Sequence, residues 1–159
     1  MNIAILGSGG REHAICDKLK QSKYSNKLFC LPGNAGTSKI ATNINCNILD
    51  FQEVYKIVKE NKIELIIVGP EQPLVEGIVD FFKLKKIKIF GPDKFCSKLE
   101  GSKYFTKRIC DKNKIPTAKY GSFDNFKKAK NFINKNKVPI VIKADGLASG
   151  KGVYICKSK

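Results

Sequence analysis

Short, strongly apolar runs alternate with helical patterns along the first part of this chain, and this alternation limits the fold more than any other feature. Residues 2–6, 27–31, 63–68 and 87–90 read as strands, and each is followed by a glycine- or proline-rich turn. The strands are too apolar to be half exposed, which is typical of a parallel sheet. The pattern therefore predicts an α/β fold, an open parallel sheet with helices on both faces.

Helices are expected between these strands. Residues 11–20 read as the first helix. Asp50 and Glu53 form an Asp-x-x-Glu start signal like a capping box, ahead of a second helix. Pro73 suits the first turn of a third helix, which we predict to continue to Phe82 with its apolar side chains on one face.

A smaller unit follows in the sequence. Ser102 is expected to cap a basic helix, and Asp124 to open another helix. The side chains expected to face inward on that second helix are Phe126, Ala129, Phe132 and Ile133. Strands are predicted at residues 138–142 and 153–156, paired with each other across a glycine loop. So short a segment has too few residues to build much of a core.

The charge of the chain comes almost entirely from lysine. The net charge is +16, from 30 basic and 14 acidic residues, and only Arg11 and Arg108 are arginine. Nucleic-acid readers favour arginine forks, so a solvated lysine-rich surface is favoured over a nucleic-acid site. The longest apolar runs are too short to span a bilayer, and the N-terminus has no signal-peptide pattern. We therefore expect a soluble cytoplasmic protein without nucleic-acid or membrane partners.

The six cysteines show no metal-binding or redox pattern. None lies in a C-x-x-C pair, and His13 is the only histidine, so the spacing of a zinc site is absent. Several cysteines fall within predicted strands or helices, where a thiol acts as a small hydrophobe. We expect buried, reduced cysteines and no metal site in this chain.

Residues 7–13 read GSGGREH, follow the first strand and open the first helix. Main-chain N–H groups and the helix dipole favour an anion at such a position, and Arg11 could add a bidentate contact to a phosphate. NAD binding is disfavoured, because Glu12 replaces the third glycine of G-x-G-x-x-G and the second strand ends without an acid for a ribose hydroxyl. A turn that serves only packing remains the alternative, and a lone His13 is more typical of a packed or capping residue than of a catalyst.

Two further turns follow predicted strands, residues 32–36 (PGNAG) and residues 69–71 (GPE). In open parallel sheets, ligands bind at the carboxyl ends of the strands. Glu71 could face a substrate amine or hydroxyl there. Ordinary turns explain the same residues equally well.

Residues 140–152 read IVIKADGLASGKG. Lys143 ends a β-branched run, where a lysine is not expected unless its charge meets a partner. Lys151 lies in the glycine loop and could contact a phosphate, since glycine lets the backbone approach closely. The Walker pattern G-x-x-x-x-G-K-[ST] is not met. The segment suits a nucleoside triphosphate, whereas Lys103 reads by composition alone as a surface lysine.

Seven segments together resemble one protein family. They are residues 9–13 (GGREH), 32–37 (PGNAGT), 67–71 (IVGPE), 88–92 (KIFGP), 99–103 (LEGSK), 114–118 (KIPTA) and 140–152. They run in order along the chain and resemble the N-terminal part of the glycinamide ribonucleotide synthetase (phosphoribosylamine–glycine ligase) family, ATP-grasp enzymes of purine synthesis. The combination favours this family over its carboxylase and formyltransferase cousins.

The resemblance implies two domains with different ligands. Residues 1–101 resemble the Rossmann-like, pre-ATP-grasp domain that helps to hold phosphoribosylamine, and residues 102–159 resemble the start of an α+β ATP-grasp domain. The residues implied to bind the sugar phosphate are Gly9, Gly10, Arg11, Glu12, His13, Pro32, Gly33, Asn34, Gly69, Pro70 and Glu71. Those implied to contact ATP are Lys103, Lys143, Gly146, Ser149, Gly150, Lys151 and Gly152.

The family reaction joins glycine to phosphoribosylamine. ATP phosphorylates the glycine carboxylate, the amine attacks the acyl phosphate, and ADP and phosphate leave. This chemistry needs charge neutralisation and alignment more than a protein nucleophile, so no catalytic residue is assigned. The resemblance places the adenine-holding segment and the Mg²⁺ or Mn²⁺ ligands beyond residue 159.

Two consequences follow for this chain. We expect that the 159 residues alone do not turn over ATP, and that the remaining part of the same polypeptide is a partner. A non-catalytic phosphosugar-binding module is the alternative function. A nicotinamide oxidoreductase is disfavoured for lack of the ribose-binding acid.

Overall fold

In the computed structural model, residues 1–148 and 150–158 are described. They form two compact units, Met1–Ser97 and a second unit that begins at Lys98. The strands are β1 (Asn2–Gly7), β2 (Lys27–Pro32), β3 (Thr42–Asn43), β4 (Leu65–Val68), β5 (Lys88–Phe90), β6 (Ile140–Lys143) and β7 (Val153–Cys156). The helices are α1 (Gly10–Lys20), α2 (Phe51–Glu60), α3 (Glu71–Glu76), α4 (Ile78–Leu84), α5 (Lys94–Gly101), α6 (Lys103–Lys112) and α7 (Phe126–Lys135). Within this described part, no helix has both the length and the apolar character needed to cross a membrane.

The first unit is built on a five-stranded parallel sheet with the strand order β3-β2-β1-β4-β5. Leu6 of β1 lies beside Leu31 of β2 on one side and Val68 of β4 on the other. The order reverses at β1, because the chain adds β2 and β3 on one side and then returns to start β4 on the other. The carboxyl ends of β1 and β4 therefore frame the topological switch point, where sheets of this type bind ligands. The predicted parallel α/β sheet is confirmed, and the two-residue β3 was not predicted.

Helices cover both faces of the sheet, as predicted. Ile3 and Ile5 pack with Cys16 of α1 on one face. Leu6 packs with Phe82 of α4 in the cluster on the other face. All five residues are at most 3% exposed. Because successive side chains of a strand point to opposite faces, a strand covered on both sides has no polar face, and this explains the unbroken apolar runs.

The start of α2 confirms half of the predicted capping signal. The Asp50 carboxylate accepts hydrogen bonds from the backbone N–H groups of Gln52 and Glu53, at 3.0 Å each. It thereby satisfies two donors that the helix itself leaves unpaired. The Glu53 carboxylate accepts instead from the N–H of Asn47 at 3.0 Å. Asp50 therefore acts as the N-cap, but Glu53 contacts the preceding loop and does not return a hydrogen bond to Asp50 as in a capping box.

The prediction of one helix from Pro73 to Phe82 is wrong, because the chain breaks at Gly77. This glycine has φ +99° and ψ +28°, a left-handed conformation that separates α3 from α4. Its N–H donates to the carbonyls of Pro73 and Leu74 at 3.1 and 3.0 Å. The left-handed region costs other residues roughly 1–2 kcal/mol, so the sequence places a glycine where the chain must turn.

The second unit contains a β-hairpin and two helices that bury no residue completely. β6 pairs with β7 in antiparallel register, which confirms the predicted pairing across the glycine loop. Asn125 caps α7 in place of the predicted Asp124. Phe126 is 78% exposed, so its predicted inward position is wrong. The other three predicted inward residues, Ala129, Phe132 and Ile133, are half-buried.

The cysteines are all unbridged, but their burial differs. Cys16 and Cys30 are fully buried in the first unit, whereas Cys96 is exposed. Burial raises the pKa of Cys30 to about 12, which keeps its thiol protonated and unreactive at neutral pH. The prediction of buried cysteines is therefore right for Cys16 and Cys30 and wrong for Cys96.

Replacement of Asp50 by alanine tests the N-cap of α2. The loss of its two hydrogen bonds should lower the free energy of unfolding by about 1 kcal/mol. Asp50→Asn keeps the accepting oxygen and should change stability by only a few tenths of a kcal/mol, roughly, which makes it the matched control. Urea denaturation followed by circular dichroism measures both. An alanine variant as stable as the parent chain would contradict this role.

Candidate functional site

Three loops of the first unit meet at the carboxyl edge of the sheet. They are residues 7–13 after β1, residues 32–37 after β2, and residues 69–71 after β4. Backbone hydrogen bonds join them, since the N–H of Gly33 donates to the Gly7 carbonyl and the N–H of Gly69 donates to the Leu6 carbonyl, both at 3.1 Å. The structure therefore brings together the three segments that the sequence singled out, at the switch point between β1 and β4.

The first loop opens α1 with its backbone turned to solvent. Ser8, Gly9 and Gly10 are exposed, and α1 begins at Gly10. The first N–H groups of a helix have no partner within it and carry the positive end of the dipole. Arg11 extends from this turn with 56% of its side chain exposed. These groups can receive an anion of the size of a phosphate.

Asn34 fastens the second loop to the first. Its side-chain amide donates to the carbonyls of Ser8 and Gly9 at 2.9 and 3.2 Å, and its oxygen accepts from the N–H of Thr37 at 3.0 Å. Thr37 is fully buried, and its hydroxyl donates to the side chain of Asn43 at 2.8 Å. Asn34 was named from the sequence, whereas Asn43 was missed because nothing local marks its contact. The PGNAGT segment thus holds the turn that opens α1, beside the crevice where residues 7–13, 32–37 and 69–71 meet.

Arg11 forms an ion pair across the crevice with Glu71. Its Nη1 atom lies 2.9 Å from a Glu71 oxygen, and 43% of the Glu71 side chain is exposed. This hydrogen bond raises the pKa of Arg11 and lowers the pKa of Glu71 below its ordinary value of 4.5. The crevice therefore presents a guanidinium and an ionised carboxylate side by side.

The other residues of this unit that were predicted to bind the sugar phosphate differ in how far they are exposed. Glu12 is buried, with its side chain only 5% exposed. His13 is half-buried, and its ring lies against Gly36, which leaves no room there for a Cβ atom. Pro32 and Gly33 continue the end of β2, and Gly33 has φ +77°. Pro70 is the N-cap of α3.

In the second unit, the start of α6 is tied to the turn after β6. Lys103 donates from Nζ to the Gly146 carbonyl at 2.7 Å. The Asp145 carboxylate accepts from the Ser102 hydroxyl at 2.9 Å and from the Tyr104 N–H at 3.2 Å. Burial opposes ionisation of Asp145, but these hydrogen bonds outweigh it and lower its pKa. No role for Asp145 was predicted from the sequence.

Lys143 ends the β-branched run of β6 as predicted from the sequence, and it is exposed in this structure. Its neighbours Val141 and Ile142 on β6 are 51% and 42% exposed, because a two-stranded hairpin does not enclose its own side chains. Lys151 is exposed as well, and its N–H donates to the Ala148 carbonyl at 2.8 Å.

Glycines shape the loop between β6 and β7. Gly146 has φ +89° and Gly150 has φ +75°. Gly152 accepts from the Ala144 N–H at 2.9 Å, and a Cβ atom on Gly152 would lie only 2.7 Å from that of Ala148. Ser149, also predicted to contact ATP, lies outside the described residues.

The donors of this second unit suit a polyphosphate. Within the described part of the chain, Lys103, Lys143 and Lys151 form no ion pair, so their charges are available to an anion. Among residues 1–148 and 150–158, no group of three or more His, Cys, Asp or Glu side chains is placed to hold a metal ion.

Comparison with known proteins decides the family. The family profile described as "Phosphoribosylglycinamide synthetase, N domain" matches residues 1–100. The profile "Phosphoribosylglycinamide synthetase, ATP-grasp (A) domain" matches residues 101–159. The chain belongs to the phosphoribosylglycinamide synthetase family. The family resemblance found from the sequence is thereby confirmed.

Individual relatives of this synthetase family cover nearly the whole chain. It is 48% identical over 157 residues to phosphoribosylamine–glycine ligases of Caldanaerobacter subterraneus subsp. tengcongensis and Clostridium acetobutylicum, covering 99% of this chain and 38% of each relative. It also resembles the crystal structure of the Thermotoga maritima ligase, with a TM-score of 0.78 and 36% identity over 99% of this chain and 36% of that one. The chain thus spans little more than a third of the length of these relatives.

Removal of the Arg11 guanidinium should raise the pKa of Glu71 in this synthetase-family chain. Arg11→Ala deletes the hydrogen bond and the positive charge that favour the ionised carboxylate, so the pKa should return toward 4.5. A lowered folded-state pKa means that the pair stabilises the fold above the pKa of unfolded glutamate. This contribution is lost as the pH falls through the folded pKa.

Carbon-detected NMR titration of the Glu71 carboxyl group measures this shift in both chains. The stability difference between wild type and Arg11→Ala should also shrink as the pH is lowered. An identical Glu71 pKa in the two proteins would show that the ion pair does not exist in solution.

Proposed function

We propose that this chain supplies the phosphoribosylamine-binding crevice and part of the ATP site of a phosphoribosylamine–glycine ligase. The observation that carries the proposal is the convergence of Arg11 and Glu71 at the switch point of a sheet that belongs to this family. The proposed reaction joins glycine to 5-phosphoribosylamine and converts ATP to ADP and phosphate. The proposed domains are residues 1–101 for the sugar phosphate and residues 102–159 for the start of the ATP-grasp part.

The two charged groups of the crevice suit the two ends of this substrate. A phosphate dianion matches the exposed guanidinium of Arg11 and the backbone N–H of Gly10 at the first position of α1. Glu71 can accept hydrogen bonds from ribose hydroxyls or from the amine. In the structure Arg11 and Glu71 satisfy each other. Substrate binding then exchanges one exposed ion pair, which costs little, for contacts to the ligand.

The second unit is proposed to hold the phosphates of ATP. Lys103, Lys143 and Lys151 provide positive charge, and Gly146, Gly150 and Gly152 allow the loop backbone to approach the phosphates, with Ser149 as a further proposed contact. ATP supplies the activation of the glycine carboxylate. In this proposal Lys103 also shapes the loop, because it already holds the Gly146 carbonyl. Mg²⁺ or Mn²⁺ is proposed to be held by residues outside this chain.

A phosphosugar-binding module without catalysis is the second candidate. It is favoured by the first unit, which holds the crevice on its own core. The ligase and the binding module can be distinguished by fusing this chain to the part of the Clostridium acetobutylicum relative that it does not match. Release of ADP that depends on glycine and phosphoribosylamine supports the ligase. A folded fusion that binds ribose 5-phosphate without releasing ADP favours the module.

Calorimetric titration of the 159-residue chain with ribose 5-phosphate tests the crevice directly. Arg11→Ala should weaken binding about tenfold or more, because a charge-assisted hydrogen bond to phosphate is lost. Arg108→Ala is the matched control, since Arg108 lies on α6 and contacts the ring of Tyr104. Equal affinities for wild type and Arg11→Ala would contradict the proposed site.

A further inference from the structure

Glu12 is buried at the junction of the loops that form the crevice, although it belongs to the exposed turn of Arg11. The residue is 4% exposed. One carboxylate oxygen accepts the N–H of Gly9 at 2.6 Å, and the other accepts the Nε–H of Arg11 at 3.2 Å. Both oxygens therefore have their own donor, one in the backbone of the loop and one in the side chain proposed to meet phosphate.

Three glycines leave the space that the Glu12 side chain fills. A Cβ atom on Gly7 would lie 2.7 Å from Glu12 Cγ, and one on Gly9 would lie 2.8 Å from Glu12 Oε2. A Cβ atom on Gly69 would overlap the same carboxylate. Real Cβ atoms do not approach neighbours so closely. The ends of β1 and β4 are thus built around this one carboxylate.

The contact to Arg11 uses the inner edge of the guanidinium. Glu12 accepts from Nε, whereas Glu71 accepts from Nη1 at the outer end. Glu71 is half exposed and Glu12 is buried, so a ligand can displace the first carboxylate but not reach the second. When Glu71 releases Arg11, the contact to Glu12 still fixes the direction of the guanidinium.

We propose that Glu12 is a positioning residue, whose buried carboxylate sets the Gly9 turn and aims Arg11 at the phosphate of a phosphorylated sugar without touching that ligand. This inference rests on the proposed function for the identity of the ligand. It changes the role expected for Glu12 from a substrate contact to a support of two substrate contacts.

Helix capping by itself accounts for only one of the two contacts. A glutamate at the third position of a helix commonly accepts the N–H of the N-cap residue, here Gly9. That role leaves the other oxygen unused, whereas here it accepts from Arg11. Glutamine fills the same space but has one accepting oxygen, so Glu12→Gln turns an amide N–H₂ toward one of the two donors. The substitution therefore tests the paired contacts with little change of volume.

The experiment combines a double-mutant cycle with NMR on the 159-residue chain. Wild type, Arg11→Ala, Glu12→Gln and the double variant are titrated with ribose 5-phosphate and, separately, with inorganic phosphate. Glu12→Gln should weaken ribose 5-phosphate binding about tenfold, and its effect should be clearly smaller once Arg11 is alanine, because only the contact to Gly9 then remains to be lost. Inorganic phosphate should show the same coupling, because the proposed contact is to the phosphate group.

Glu53→Gln is the matched control variant. Glu53 occupies the same position at the start of α2, and its carboxylate also accepts a backbone N–H, that of Asn47 at 3.0 Å. It should lose some stability and bind ribose 5-phosphate as wild type does. If Glu12→Gln loses stability only, with full binding and no coupling to Arg11, Glu12 is a helix cap and the proposal is overturned.

Two NMR signals test the contact without ligand. The Nε–H resonance of Arg11 should be observable in wild type and should shift or broaden in Glu12→Gln. The Glu12 carboxyl resonance should move in Arg11→Ala, a measurement that stands even if Glu12→Gln does not fold. Unchanged signals would overturn the positioning role. A wild-type chain that shows both signals but binds no ribose 5-phosphate would refute the proposed function and leave the Glu12–Arg11 contact established.

Discussion

The parallel pairing of β1 with β4 is the constraint on which the rest of the first unit depends. It places Leu6 beside Val68, so that the chain segments that follow, around Gly9 and Glu71, open at the same edge of the sheet. Burial of apolar side chains on both faces holds the two strands together, and each buried side chain contributes about 1.5–3 kcal/mol. The crevice is therefore a consequence of strand order, and its polar groups add little to the stability of the core.

The charged groups of the crevice differ from those of the chain as a whole. The chain carries an excess of lysine, yet its candidate sugar-phosphate site uses one of only two arginines, held between two carboxylates. Glu12 holds the Nε edge of the Arg11 guanidinium, and a ligand can replace Glu71 at the Nη1 end. The guanidinium therefore has a defined orientation, whereas the ammonium group of a surface lysine does not. The second unit differs, since its cations Lys103, Lys143 and Lys151 pair with no carboxylate in the described structure. The two proposed ligands would thus be met by different electrostatic means.

The strands of the sheet and the turns at its carboxyl edge could be predicted from local sequence patterns. The apolar runs of β1 and β4 predict strands that are buried on both faces of the sheet. The turns after them predict the edge of the sheet where a ligand binds. The approach of Arg11 to Glu71 depends on which strands are neighbours, and the sequence does not state that order. The helix break at Gly77 was missed because a glycine within an apolar helical pattern is compatible with either state. The exposure of Lys143 could not be predicted from its apolar run, because such a run is buried only where a second layer covers the strand.

NMR titration of the isotope-labelled chain with ribose 5-phosphate locates the bound ligand and so tests whether the switch point between β1 and β4 is its site. Amide chemical-shift changes should be concentrated at Gly9, Gly10 and Gly69, around the switch point. A lysine-lined hollow elsewhere on the first unit, with Lys20 and Lys39 in its wall, offers positive charge without that architecture. Shift changes centred on this hollow, with the β1 and β4 turns unaffected, would show that the sugar phosphate does not bind at the switch point.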